Sequence, residues 1–316
     1  MIQSCTGDLV AGKEIGIVGL GKMGKNIALQ MLSKGYSVTA YNRSTGPLND
    51  VASKGARKAK SVKELAAYLK GPRTVWVMLT SGDITVSIIR ELASHCKKGD
   101  TIIDGSNSYY KDAVILNAEL AKMGISYLDA GCSGGPSGAL NGMSIMIGGD
   151  KNAFNRSEHI FKDLSVPKGY LYTGESGTGH FTKMVHNAIE YGMMQSIAEG
   201  LDLVENGPYK NINLKKLTEL WNNGSVIRGY LIELASKALE LDPHLDSIAP
   251  YVEDTGEGKW SVKEAVDYNI PFSAITTSLY ERFESRDAKK FSKRVIASLR
   301  HEFGGHEVKK ERLHGI

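Results

Sequence analysis

Short apolar or β-branched runs alternate with helix-like segments from Glu14 to about Tyr172, and this alternation constrains the fold more than any other feature of the sequence. Successive strands separated by enough residues for a crossover helix predict a parallel sheet covered by helices. Ser61 and Glu64 form the pattern of a capping box, which predicts a helix start there. The predicted strands are residues 14–18, 37–41, 74–79, 101–104, 126–130 and 144–148.

Beyond Gly179 the strand pattern disappears, and amphipathic segments such as 214–221 and 230–241 are separated by Asn, Gly and Pro. This change predicts a second domain made only of helices. We expect an α/β domain with a parallel-sheet core over residues 1–178, followed by an all-α domain over residues 179–316.

The segment Gly19-Leu20-Gly21-Lys22-Met23-Gly24 follows the first predicted strand and opens a helix. In that context the three glycines permit a tight turn, a close approach of the backbone to a pyrophosphate, and close packing of helix on strand. The helix N-terminus adds free amides and the positive end of its dipole. The segment predicts a dinucleotide site in a Rossmann-type domain.

The second predicted strand ends in Asn42-Arg43-Ser44, at the position where NAD-selective enzymes carry an acidic residue for the ribose hydroxyls. Arg43 can pair with a 2′-phosphate through two charge-assisted hydrogen bonds, and Ser44 can add another. We therefore expect a preference for NADP, with NAD possible. The alternative is that Arg43 is a solvated charge stacked on the adenine ring.

Composition argues against several other classes of protein. The net charge of +4 is small for 316 residues, and the basic residues are scattered, so no nucleic-acid partner is expected. The longest apolar runs fall far short of the roughly 20 residues that a membrane-spanning helix needs. The cysteines Cys5, Cys96 and Cys132 form no close pair, which favours a reducing cytoplasm and predicts neither disulfides nor a metal cage.

Five polar residues fall within one arc of a helix that is otherwise mostly apolar. Buried charges are costly unless they are paired or used, so this arc predicts a ligand cleft rather than an exposed helix face. The alternative of a solvated face remains open from the pattern alone. The five residues are Lys183, His186, Asn187, Glu190 and Tyr191.

The segment 183–192, KMVHNAIEYG, resembles the catalytic helix of the 6-phosphogluconate dehydrogenases, a branch of the β-hydroxyacid dehydrogenase superfamily. The resemblance spans nearly the whole chain. Further segments similar to motifs of that family are 104–108 (DGSNS), 133–135 (SGG), 255–260 (TGEGKW) and 300–306 (RHEFGGH).

The resemblance implies oxidative decarboxylation of 6-phosphogluconate without a metal ion. Lys183 would act as the base on the C3 hydroxyl, and Glu190 would protonate C1 of the enediol. Asn107 would lie near both the nicotinamide and the substrate. The remaining residues implied to bind the substrate are Ser133, Gly134, Gly135, His186, Asn187, Tyr191, Lys259, Arg282, Arg300 and His306, with Arg286 as an alternative to Arg282.

The chain is too short to hold the duplicated helical half of the long enzymes, so it resembles the short form of the family, which often uses NAD. The resemblance also implies a homodimer or homotetramer in which Arg300 and His306 lie near a neighbouring active site. Two alternatives stay open: another β-hydroxyacid dehydrogenase, of the 3-hydroxyisobutyrate type, or a non-catalytic dinucleotide sensor.

Overall fold

The computed structural model describes residues 13–309, apart from the side chain of Phe303. Over that range the first part of the chain alternates strands and helices, and the later part is helical. The strands are β1 (Glu14–Val18), β2 (Ser37–Tyr41), β3 (Arg57–Ala59), β4 (Thr74–Val77), β5 (Thr101–Asp104), β6 (Ser126–Ser133), β7 (Met143–Gly149) and β8 (Ser165–Gly174).

The helices follow the same order along the chain. They are α1 (Lys22–Ser33), α2 (Thr45–Ala52), α3 (Val62–Tyr68), α4 (Asp83–His95), α5 (Tyr110–Lys122), α6 (Gly135–Asn141), α7 (Lys151–Leu164), α8 (Thr178–Asn206), α9 (Leu214–Asn222), α10 (Tyr230–Leu241), α11 (Glu257–Asp267), α12 (Ser273–Glu284) and α13 (Phe291–Gly304).

The eight strands form one sheet in the order β3-β2-β1-β4-β5-β6-β7-β8. All six predicted strands are present, whereas β3 and β8 were not predicted. Both lie at the edges of the sheet, where a strand needs fewer buried apolar residues and its sequence pattern is weaker. The central strands carry buried apolar side chains toward both faces, with Ile15, Trp76 and Ile103 in one core cluster and Val75 and Ile102 in the other.

Two strands, β7 and β8, run opposite to the other six and so depart from the predicted parallel arrangement. Strand β7 runs antiparallel to β6, while its other neighbour, β8, is parallel to it. Only residues 134–142, which include the short helix α6, connect β6 to β7. A parallel pair needs a crossover of about a dozen residues or more, so this short connection reverses the chain.

The predicted capping box at the start of α3 forms only in part. Ser61 Oγ accepts a hydrogen bond from the Glu64 amide over 3.1 Å, as expected. The Glu64 carboxylate accepts from the amide of Lys60 rather than from that of Ser61. The reciprocal bond is therefore displaced by one residue, and the helix start is still capped.

Two compact units account for the described chain. One unit contains the residues up to Ile189 together with Glu257–Asp267, and the other contains Glu190–Gly256 and the residues from Tyr268 onward. Within the second unit, every described secondary-structure element is helical, as predicted. The domain boundary between residues 178 and 179 stays a prediction. None of the helices in residues 13–309 has the length and apolar character needed to cross a lipid bilayer.

Candidate active site

The glycine turn after β1 depends on two close backbone contacts. Gly19 has φ +92°, and a Cβ atom there would lie 2.2 Å from the carbonyl oxygen of Met78. A Cβ atom on Gly24 would lie 2.0 Å from the carbonyl oxygen of Gly19. No larger residue fits either position without moving backbone atoms, so both glycines serve the turn and the packing of α1 on β1.

The N-terminus of α1 fits the pyrophosphate of a dinucleotide. A Cβ atom on Gly21 would have no other atom within 4 Å, so the space in front of the turn is open. Gly21 is the N-cap of α1, where no side chain caps the helix and the first turn holds no acidic residue. Lys22 and Met23 begin the helix. Its first amides and positive dipole end are thus available to an anion.

The side chain of Asn42 stabilises the glycine turn through hydrogen bonds. Its Oδ1 accepts a hydrogen bond from the Leu20 amide and its Nδ2 donates to the Ser44 carbonyl, each over 2.9 Å. The side chains of Arg43 and Ser44 are exposed beside it. The sequence indicates only that Asn42 belongs to the segment expected to bind the cofactor. Its structural role depends on the fold, which brings the end of β2 next to the turn.

Lys183 begins a chain of polar contacts within the first unit. Its side chain is buried, with 5% of the residue exposed, and its ammonium donates to Oδ1 of Asn187 one turn further along α8. Lys183 Nζ also lies 3.4 Å from Nδ1 of His186, whose Nε2 lies 3.2 Å from the hydroxyl of Ser133. Four of the residues singled out in the sequence are therefore brought together, around one buried cation.

The side chain of Asn107 forms two hydrogen bonds with the backbone of β6, the strand that carries Ser133. Its Oδ1 accepts from the Cys132 amide over 2.9 Å, and its Nδ2 donates to the Cys132 carbonyl over 3.2 Å. The backbone of Asn107 is left-handed, with φ 52°. Gly134 and Gly135, which follow Ser133, also have positive φ, at 125° and 60°. The loop after β5 and the start of α6 thus contain residues with positive φ, a conformation that glycine and asparagine adopt most readily.

The thiol of Cys132 lies next to these residues. Burial raises its pKa to about 12, although the positive charge of Lys183 acts in the opposite direction. The thiol is therefore protonated at neutral pH and is a poor nucleophile. Cys96 is also a free thiol, and Cys5 lies outside the described residues.

Glu257 is a site residue that sequence reasoning missed, although it lies within the TGEGKW segment. Its Oε1 accepts a hydrogen bond from Asn187 Nδ2 over 2.9 Å, and only 8% of the residue is exposed. Asn187 therefore links the ammonium of Lys183 to a buried carboxylate. Lys259, two residues further on, is exposed.

Helix α11, which carries Glu257 and Lys259, is anchored to the sheet unit by a second carboxylate. Glu264 accepts from the ammonium of Lys111 over 2.8 Å and from the hydroxyl of Tyr109 over 3.2 Å. Burial acts to raise the pKa of Glu264, but these donors outweigh it and hold the pKa below its usual range. This anchor explains why α11 belongs to the sheet unit despite its late place in the sequence.

Two further buried carboxylates hold the ends of β5 and α8. Asp104 accepts from the Ser106 amide, the Ser108 hydroxyl and the Tyr127 hydroxyl, and lies 3.3 Å from Nε2 of His180. Asp129 accepts from the amides of Gly177 and His180 over 2.8 and 2.9 Å. Asp129 thus caps the N-terminus of α8 from a neighbouring strand, where a negative charge is favoured.

In the second unit, two of the residues implied to bind the substrate contact one another. Tyr191 is buried, and the guanidinium carbon of Arg282 lies 3.5 Å from the centroid of its ring. Arg282 donates to the carbonyl of Glu253 over 2.7 Å. By contrast, Arg286 is paired with the carboxylate of Asp254 over 2.8 Å. The charge of Arg286 is therefore paired with a carboxylate, whereas Arg282 contacts a carbonyl oxygen and an aromatic ring.

The remaining predicted site residues are less enclosed. Glu190 is half-buried on α8. The mostly apolar remainder of this helix predicts burial, but Ile189 and Met193 are 51% and 52% exposed, so that prediction is wrong at these two positions. Apolar periodicity does not distinguish a chain's own core from a surface left uncovered. Arg300 is exposed on α13, and the carbonyl of His306 lies 2.9 Å from Nδ1 of His301. Within residues 13–309, no group of three His, Cys, Asp or Glu side chains is arranged to hold a metal ion.

Both halves of the chain match the models of one protein family. Residues 14–174 match the model for the NAD binding domain of 6-phosphogluconate dehydrogenase, and residues 179–313 match the model for its C-terminal domain. The Bacillus subtilis protein YqeC is 41% identical over 298 residues, which cover 94% of this chain and 100% of YqeC. The NAD⁺-dependent, decarboxylating 6-phosphogluconate dehydrogenase of Haloferax volcanii is 37% identical, over 93% of this chain and 98% of that protein.

A solved structure of the Plasmodium falciparum 6-phosphogluconate dehydrogenase, described in its apo form and with NADP⁺ or 6-phosphogluconate, has a TM-score of 0.79 and 30% identity. The match covers 96% of this chain and 67% of that longer chain. The relatives thus include both NAD⁺- and NADP⁺-dependent enzymes. Both halves and nearly the full length agree, and the chain belongs to the family of decarboxylating 6-phosphogluconate dehydrogenases.

Proposed function

We propose that this protein oxidises and decarboxylates 6-phospho-D-gluconate to D-ribulose 5-phosphate and CO2, with reduction of NAD(P)⁺. The observation that carries the proposal is the buried side-chain nitrogen of Lys183, which contacts Asn187 and lies within reach of His186. A buried lysine surrounded by polar side chains is costly for stability alone and suits a group that exchanges a proton with a substrate.

The uncharged amine form of Lys183 would accept the proton of the C3 hydroxyl as the hydride leaves C3 for the nicotinamide ring. The resulting ammonium would then stabilise the negative charge that develops on the C3 oxygen as the carboxylate is lost as CO2. Asn107, Ser133, His186 and Asn187 would orient the hydroxyls and the carboxylate. Asn107 is held by the backbone of Cys132, and hydrogen bonds join Ser133 to His186 and His186 to Asn187. These bonds support the role, because they fix the geometry before the substrate binds.

Glu190 would donate the proton to C1 of the enediol that decarboxylation leaves. Tyr191, Lys259 and Arg282 would bind the phosphate of the substrate, with Arg300 and His306 as further ligands. Arg282 is preferred to Arg286 as the phosphate ligand, because Arg286 already pairs with Asp254. Arg282 stacks on Tyr191, which leaves the edge of its guanidinium able to donate to phosphate oxygens.

NADP is the proposed preferred cofactor, because Arg43 and Ser44 are exposed at the end of β2 and no acidic residue precedes them there. We also propose a cytoplasmic homodimer or homotetramer in which the segment with Arg300 and His306 contributes to a neighbouring subunit. The exposure of α13 over its described residues supports such an arrangement.

A single assay tests the proposed reaction. Cofactor reduction is followed with 6-phosphogluconate under NAD⁺ and NADP⁺, while released CO2 is trapped and counted. One CO2 per reduced cofactor is expected. Reduction with 3-hydroxyisobutyrate but not with the phosphorylated acid would favour the alternative dehydrogenase, and cofactor binding without any turnover would favour a dinucleotide sensor.

A further inference from the structure

An ion pair between Asp104 and His180 lies outside the residues assigned to the reaction. Both side chains are fully buried, and Oδ2 of Asp104 lies 3.3 Å from Nε2 of His180. Asp104 is the last residue of β5, and His180 lies in the first turn of α8. The pair thus joins the end of a central strand to the helix that carries Lys183.

Asp104 accepts hydrogen bonds from the loop that contains Asn107. Its carboxylate accepts from the Ser106 amide and from the Ser108 hydroxyl, each over 2.9 Å. These two residues flank Asn107, whose backbone is in the left-handed region that asparagine adopts more readily than most other residues with a side chain. The hydrogen bonds on either side of Asn107 therefore fix the conformation of this loop.

The His180 side of the pair is fixed to the turn that carries Lys183. His180 precedes Lys183 by three residues on α8, so the two side chains lie on neighbouring positions of one helix surface. The amide of His180 donates to the buried carboxylate of Asp129. Movement of His180 relative to Asp104 would therefore change the placement of Lys183 relative to Asn107.

The capacity of His180 to carry a positive charge distinguishes it from the other partners of Asp104, because burial lowers the pKa of this histidine less than Asp104 raises it. Burial acts to raise the pKa of Asp104, but the hydrogen bond and charge of His180 outweigh it and hold that pKa below its usual range. Tyr127 donates to the same oxygen over 3.0 Å, but it is neutral and lies on β6. Only the loss of the histidine would remove both the positive charge and the connection to α8.

We propose that His180 is a positioning residue, whose ion pair with Asp104 sets the distance between Asn107 and Lys183 for hydride transfer. The kinetic part of this inference rests on the proposed function. The structural part, that His180 holds the loop around Asn107 in place, does not depend on it.

The test compares His180→Gln with Tyr127→Phe in the full-length protein. His180→Gln keeps a hydrogen-bond donor but removes the positive charge, whereas Tyr127→Phe removes a neutral donor to the same carboxylate oxygen. Cofactor reduction is measured in single turnovers, since loss of folded protein lowers the amplitude and mispositioning lowers the rate constant. Hydrogen exchange of the Asn107 and Ser108 amides is measured without substrate.

His180→Gln is expected to lower the single-turnover rate constant by about 10-fold or more with its amplitude retained, because small errors in position are costly to reaction rates. Exchange of the two loop amides should become about 10-fold faster. Tyr127→Phe should leave the rate constant within about twofold and the loop exchange unchanged. Neither substitution replaces an arginine or lysine that could bind the cofactor, so the KM for the cofactor should stay within about twofold.

Equal effects of the two substitutions on loop exchange would overturn the inference. If the wild-type protein does not turn over 6-phosphogluconate, the proposed function fails, and the exchange comparison still decides the role of His180. If His180→Gln does not fold, Ser108→Ala breaks the same connection at its loop end. Unchanged exchange of the Asn107 amide in Ser108→Ala would then contradict the proposal.

Discussion

Gly131 of β6 packs directly against Lys183 of α8. A Cβ atom on Gly131 would lie 2.3 Å from Cβ of Lys183 and 2.7 Å from the carbonyl oxygen of Gly179. Real Cβ atoms do not approach so closely, so the aliphatic part of Lys183 has its present position only because residue 131 has no side chain. The placement of the ammonium therefore depends on a glycine in the sheet.

Gly131→Ala is expected to lower the free energy of unfolding by about 1–3 kcal/mol, as overpacked core positions do. It should also lower kcat, because α8 or the lysine side chain must move. Gly200→Ala, on α8, is the control, since a Cβ atom there has no neighbour within 4 Å. The control should keep full activity and gain up to about 1 kcal/mol of stability. Urea unfolding and steady-state assays measure both quantities, and wild-type activity in Gly131→Ala would contradict the expectation.

Lys183→Met should abolish turnover while the cofactor still binds. The substitution keeps an apolar stem of similar length but removes the group that exchanges the proton, which contributes roughly 10²–10⁴-fold to rates. Calorimetric titration with the cofactor and an assay of its reduction separate the two effects. Lys122→Met, at an exposed position on α5, is the control and should remain fully active. An active Lys183→Met protein would remove the assignment.

Arg282 and Arg286 should respond differently to replacement by alanine. Arg282→Ala should raise the KM for 6-phosphogluconate by about 10-fold or more, because hydrogen bonds to charged groups contribute about 1.5–3 kcal/mol. Arg286→Ala leaves the carboxylate of Asp254 without this partner and should mainly reduce stability, by about 1–3 kcal/mol. The reverse pattern of KM and stability would assign the phosphate to Arg286.

Arg43→Ala should reduce kcat/KM with NADP⁺ by about 10-fold or more and leave kcat/KM with NAD⁺ within about twofold. The physical reason is that a 2′-phosphate gains charge-assisted hydrogen bonds from this arginine that a ribose hydroxyl does not. NAD⁺ serves as the internal control in the same preparation. Equal losses with the two cofactors would indicate that Arg43 stacks on the adenine instead, and a wild-type preference for NAD⁺ would contradict the NADP proposal itself.

The stability that the Asp104–His180 pair contributes should depend on pH. Burial acts to lower the pKa of His180, but the hydrogen bond and charge of Asp104 outweigh it and raise the pKa above its ordinary value of 6.5. The histidine's contribution is therefore complete below about pH 6.5 and is lost as pH rises through the pKa of the folded state. Asp104, whose pKa is lowered, contributes above its ordinary value of 3.8 and loses that contribution only as pH falls through its folded pKa.

Asp104→Asn removes the carboxylate, so the difference in unfolding free energy between wild type and variant should be largest near pH 5–6 and shrink toward pH 9. Urea unfolding across this range measures the difference. Asp150→Asn is the control, because Asp150 caps α7 at an exposed position with no histidine partner in the described hydrogen bonds. A difference that does not change with pH would contradict the raised pKa of His180.

The sequence predicted those features that depend on neighbouring residues along the chain. Strand periodicity placed β1, β2 and β5 to the residue, and the glycine spacing after β1 located the turn now seen packed against Met78 and Gly24. Helical spacing also placed Lys183, His186 and Asn187 on one surface of α8. Local patterns suffice here because each feature is set by the geometry of a single strand, turn or helix.

Tertiary structure decided which distant residues meet those positions. Gly131, Asp129 and Glu257 gave no local signal for contact with α8, yet they fix its lysine, its N-terminus and its asparagine. The antiparallel strand β7 and the membership of α11 in the sheet unit were equally hidden in the sequence. Buried charges need partners wherever the fold brings them, and neighbours in space cannot be read from separation along the chain.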